Sequence, residues 1–103
     1  MKNGKKTKVY HADPPRFSVF GDEELLESLH DFPSGYELAA TADFPMLDLV
    51  YQLTNSIDWP WWENEGVTME GNVEGRRSTS VGDVIVIPDG SRFVVALMGF
   101  KQF

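Results

Sequence analysis

The stretch from Val84 to Met98 constrains this chain more than any other. An apolar run, Val84 to Ile87, is followed by Pro88-Asp89-Gly90-Ser91 and then by a second run, Arg92 to Met98. Proline presets φ for the start of a turn, Asp and Ser side chains bond to nearby backbone, and glycine takes a positive φ at no steric cost. Two β-formers joined by so short a turn make an antiparallel hairpin. A lone hairpin is marginal in water and needs further strands or a helix on its apolar face. Thr7 to Ala12 alternates as a first strand and stops at Asp13-Pro14-Pro15, because proline brings no N–H to a ladder. Tyr36 to Asp43 reads as a second strand, and Val67 to Glu74 as a weak one.

Two helices fit between them. Asp22 to His30 places Leu25, Leu26 and Leu29 on one face, with Asp22, Glu23 and Glu24 in the first turn, where the helix dipole favours anions. The longer one runs from Pro45 to Ile57, with Asp43 as candidate N-cap and Met46, Leu49, Val50, Leu53 and Ile57 recurring at three- and four-residue spacing. The expected order is β-α-β-α-loop-β-β. The predicted class is α+β: a small antiparallel sheet of about four strands, ending in the hairpin, packed against one main helix plus a short one. A length of 103 residues suits one core. Residues 1–6 read as a basic flexible leader and 7–103 as a single domain.

Composition removes several classes. There is no cysteine, hence no disulfide and no thiolate metal site. The basic N-terminus is followed by no apolar region of signal-peptide type, and no run approaches the ~18 apolar residues of a membrane span. The cytoplasm is the default compartment. A net charge of −7 disfavours direct binding to nucleic acid or an anionic membrane. The charges are also segregated. Between Phe17 and Gly75 there is no Lys or Arg, whereas thirteen acids fall there: Asp22, Glu23, Glu24, Glu27, Asp31, Glu37, Asp43, Asp48, Asp58, Glu63, Glu65, Glu70 and Glu74. Such asymmetry points to a basic partner.

Each group capable of chemistry has a plainer reading. His11 and His30, each near an aspartate, could share a metal, but a strand-edge His and a helix-end His are commoner. Ser78, Thr79 and Ser80 are hydroxyls, yet a nucleophile needs a base in reach. Before Val81-Gly82-Asp83 they fit side-chain to backbone bonds that shape a turn, with Asp83 capping it. Glu63 with Glu65, and Glu70 with Glu74, would have to face each other across a cleft to act as a catalytic pair. No cofactor, metal or enzymatic activity is expected. The loop Asp58-Trp59-Pro60-Trp61-Trp62-Glu63-Asn64-Glu65 is the most informative segment: three tryptophans among three acids. They serve either to plug the core or to anchor a partner, where Trp is enriched.

The helix ending Leu53-Thr54-Asn55, the segment Arg77-Ser78-Thr79-Ser80-Val81-Gly82-Asp83-Val84-Ile85-Val86 and the final strand ending Gly99-Phe100 together resemble the YodL-like domains of phage, plasmid and other mobile-element proteins. The resemblance covers about Leu47 to Phe100. The Trp59–Trp62 cluster stands where those domains often carry a short loop. The resemblance implies a role in conflict between a mobile element and its host, and carries no catalytic residues. The expected function is a non-enzymatic inhibitor of the anti-CRISPR or anti-restriction type, occluding a basic surface on a host nucleic-acid-binding enzyme or complex. The predicted partner-binding residues are Glu23, Glu24, Glu27, Asp58, Trp59, Trp61, Trp62, Glu63 and Glu65, in a monomer or homodimer. The alternative is a small-ligand module with the aromatic loop as a lid.

Overall fold

The computed structural model describes residues 6–16, 21–56 and 58–103. One antiparallel sheet dominates. Its strands are β1 (Thr7–Ala12), β2 (Tyr36–Ala42), β3 (Val67–Met69), β4 (Val84–Val86), β5 (Arg92–Ala96) and β6 (Gly99–Gln102), in the spatial order β3-β2-β1-β4-β5-β6. Every neighbouring pair is antiparallel. The connections carry two short helices, α1 (Asp22–Glu27) and α2 (Leu47–Thr54), and one 3-10 turn (Trp61–Glu63).

This architecture corrects the expected fold class: the molecule is mostly β, with six strands rather than about four and no dominant helix. The helix expected over Pro45 to Ile57 shrinks to Leu47–Thr54 because its ends are not helical. Met46 is extended (φ −93°, ψ 123°) and Asn55 leaves helical geometry (φ −123°, ψ 59°). Asp43 does not cap the helix; its carboxylate meets the Lys6 ammonium at 3.2 Å. Ile57 lies outside the described residues, as do residues 1–5 of the expected leader. The additional strands are β3, shorter than the weak strand read over Val67 to Glu74, and β6. The apolar run Phe93 to Phe100 is not one strand but two, folded back at Leu97-Met98, with Gly99 at φ 88°.

Side chains alternate across the sheet and build two cores. Val9, Ala40, Ala42, Ile85 and Val95 point to one face, beneath Val50 of α2 and Trp61. Val84, Val94 and Ala96 point to the other, beneath Leu25 and Leu29, with Tyr10, Phe32, Tyr36 and Phe103 around them. The sheet is thus the middle layer of three, and each large side chain buried this way stabilises the fold by about 1.5–3 kcal/mol. A bulge keeps the alternation in step. Val9 pairs with Ala40 but Tyr10 with Leu38, so Ala39 is the extra residue on β2. Ala39 is buried, and its carbonyl accepts the Glu70 N–H at 2.9 Å.

Candidate functional site

The segment that follows the tryptophan loop is the most densely bonded part of the molecule. Asp83, 0% exposed, is its centre. Oδ1 accepts from the Ala12 N–H (2.9 Å) and Arg77 Nη2 (2.7 Å); Oδ2 accepts from Arg77 Nη1 (2.6 Å) and the Ser80 N–H (2.7 Å). The planar guanidinium matches the carboxylate in a two-bond fork, the arrangement that makes a buried charge tolerable. Arg77 also donates to the carbonyls of Ala12 and Ser78. Around this pair, Asn55 Nδ2 donates to the Thr79 carbonyl, Ser78 Oγ to Ser56, and the Tyr36 hydroxyl to Gly82 at 2.6 Å. Residues 77–83 are therefore clasped to β1, to β2 and to the end of α2. Asp83 caps the turn as expected, through the Ser80 N–H, but the hydroxyls do not bond locally: Ser78 Oγ reaches Ser56 and Thr79 Oγ1 reaches His11. The neighbouring Arg76 is held as well: it donates to the Glu70 carbonyl and pairs with Glu37 at 2.8 Å.

His11 is not at a sheet edge. It lies on β1, third of six strands, and is buried. Its Nε2 is 3.0 Å from Thr79 Oγ1, and its ring meets Trp61 edge-on at 6.2 Å. Burial pulls its pKa down to about 4; Asp83 opposes the shift, and Arg77 and Arg76 add to it. The imidazole is neutral at pH 7. A hydroxyl beside an imidazole has the spacing of a nucleophile and its base, but Thr79 is 0% exposed, so no substrate approaches it. A polar hollow of about 210 Å³ opens beside His11, between Asp13, Glu37 and Arg76. His30 follows Leu29, which packs on the opposite face of the sheet, so the two histidines share no site. Among the described residues, no group of three or more His, Asp or Glu is placed to hold a metal ion.

The tryptophans divide by environment. Trp61 is 1% exposed, sits in the first core and donates from Nε1 to the Arg77 carbonyl at 3.0 Å. Its expected role as a partner anchor gives way to that of a core plug. Trp62 is half-buried edge-on against Trp61, with ring centroids 5.4 Å apart, and a Cβ added at Gly75 would come within 3.0 Å of it. These two rings fill space against the core. Trp59 alone is turned outward, 53% exposed. Its Nε1 donates to Asn64 Oδ1 at 3.0 Å, while Asn64 Nδ2 donates to the Leu53 carbonyl at 2.8 Å. Asn64 therefore locks the loop to α2. Asp58, Glu63 and Glu65 are exposed around it. Glu23, Glu24 and Glu27 are exposed as well, but on α1, which covers the other face. The sheet separates the two acidic groups, so the nine predicted residues do not form one surface.

The Arg77–Asp83 fork and the His11–Thr79 contact were not foreseen. The available signal was an Arg and an Asp bracketing a hydroxyl-rich turn in a segment otherwise poor in charge. No protein-family model, curated protein or solved structure matches this chain. Among the described residues, no helix is long and apolar enough to cross a membrane.

Proposed function

We propose that this chain is a non-enzymatic binding protein of a phage or other mobile element, acting in the host cytoplasm by covering a basic surface on a nucleic-acid-handling defence protein. The observation that supports this reading best is Trp59, exposed on the same loop as the exposed Asp58, Glu63 and Glu65, which Asn64 clips to α2. A fixed, exposed aromatic ring on a loop that also carries exposed carboxylates suits a cationic groove. The ring supplies buried apolar area and a face for Arg, and the carboxylates mimic the charge of a nucleic-acid backbone. A net charge of −7 would speed the encounter and make it salt-sensitive. Preorganisation matters because a loop already ordered loses little entropy on docking.

The YodL-like resemblance fits this reading in a particular way. The residues that carry it, Ser78, Thr79, Ser80, Gly82 and Asp83, serve the internal clasp, and Phe100 packs edge-on against Tyr51 at 5.9 Å. They are scaffold, and the choice of target then falls to the 58–65 loop, where this chain departs from the resemblance. Affinity capture from host extract at low and moderate salt tests the proposal. The expected catch is a nucleic-acid-binding protein with a basic surface, released by salt. Enrichment only of proteins without such a surface, or binding indifferent to salt, overturns it.

A further inference from the structure

A hollow lies on the other side of the sheet from Trp59, and neither the acidic loop nor the proposed docking uses it. It measures about 500 Å³, within the usual range of small-molecule sites, and is lined by Lys6, Lys8, Thr41, Val86, Ile87, Pro88 and Gly90. Its position follows from strand register. Lys8 lies opposite Thr41 on β2 and opposite Val86 on β4, and Val86 lies opposite Arg92 on β5. Residues directly opposite share a face, so Thr41, Lys8, Val86 and Arg92 form one row across the face that α1 covers only in part. With strands ~4.8 Å apart, Lys8 and Arg92 stand roughly 10 Å from each other on either side of Val86.

The charges make this row unusual for so acidic a chain. Lys8 on β1 and Lys6 just before it both line the hollow, beside an apolar floor of Val86, Ile87 and Pro88. Acids lie close by, each with its own partner inside the fold. Asp43 pairs with Lys6, Glu70 accepts from the Thr41 hydroxyl at 3.0 Å, and Asp89 is bound into its own turn by the Ser91 N–H at 2.7 Å. Farther along the row, the Arg92 guanidinium stacks over Phe103, 4.7 Å from the ring centroid. Among the described residues, Lys8 has no ion-pair partner. A sheet face kept open, apolar in the middle and cationic at its sides, is complementary to an anion with an apolar body.

We propose that the cleft between β1 and the β4–β5 hairpin is a binding site for a small organic anion, its carboxylate, sulfonate or phosphate group held by Lys8 and Lys6 and its apolar body laid on Val86, Ile87 and Pro88. The site is independent of the surface assigned to partner binding. The test is a titration of the full chain with 1-anilinonaphthalene-8-sulfonate, followed by amide chemical shifts, with inorganic phosphate and a neutral naphthalene as the charge-only and apolar-only probes. The sulfonate should shift the amides of Lys8, Thr41, Val86, Ile87 and Gly90 together. It should bind at least ten-fold more tightly than either control probe, and weaken at least ten-fold in Lys8→Glu but not in Lys101→Glu. Lys8 is exposed, so both variants should keep the wild-type amide pattern elsewhere. Shifts centred on Trp59 or on the Tyr51–Phe100 side, equal binding of phosphate, or full affinity in Lys8→Glu would each overturn the proposal.

Discussion

Replacing Asp83 by alanine removes four accepted hydrogen bonds and leaves a guanidinium whose fork no longer meets its carboxylate. Breaking a buried pair from one side is severe, and Asp83→Ala should lose about 3–5 kcal/mol in urea denaturation. Glu37→Ala breaks an ion pair with a half-exposed carboxylate and should cost less than about 1 kcal/mol by the same measurement. His11 gives a pH signature. Its folded pKa, about 4, lies below the ordinary value of 6.5, so the unfolded chain binds more protons between the two. Stability from the neutral imidazole is complete above pH 6.5 and is lost as pH falls towards 4, a total of roughly 3 kcal/mol. His11→Gln should flatten that part of the stability profile relative to wild type; an unchanged slope would show that His11 is not held neutral. Trp61→Ala should cost about 3–5 kcal/mol and Trp59→Ala under about 1 kcal/mol, since only the first empties the core. Little of this was legible in the sequence. Three tryptophans within four residues have the same composition whichever way they point, and only the Asn64 clip and the Arg77 carbonyl decide it.

Among the elements, β1, β2, α1 and the β4–β5 hairpin were readable, because each has a period or a turn of its own. What failed was at boundaries set by tertiary contacts. Phe93 to Phe100 is continuously apolar apart from Gly99, so no pattern marks its break, although Leu97 is 72% and Met98 90% exposed at the fold-back. The break depends on Gly99 at φ 88°, where a side chain is strained. Gly99→Val should therefore cost about 1–3 kcal/mol and release β6 first, seen as faster amide exchange at Phe100–Gln102 than at β1 and β4. The helix was over-read because Met46 and Asn55 fit the apolar and polar periods but not the backbone. Nothing in the period reports that the chain must turn there to carry Thr54 to the Thr79 N–H, a bond of 2.9 Å.

At the scale of the molecule, a sheet with cover on both faces distributes the chain's charge onto two sides. The cation-free stretch from Phe17 to Gly75 supplies α1 on one side and the 58–65 loop on the other, so segregation in sequence does not become one acidic face in space. That is why the charge asymmetry in the sequence does not report which acids lie together in space. On the function proposed above, the 58–65 loop, and not α1, is the working surface. That assignment is tested most directly by measuring binding to the captured basic partner with two charge reversals of equal size, Glu63→Lys with Glu65→Lys and Glu23→Lys with Glu24→Lys, each compared at two salt concentrations. The account predicts that the loop reversal abolishes binding while the α1 reversal slows association only modestly, in a way that salt masks. Full binding by the loop variant together with loss in the α1 variant would contradict it.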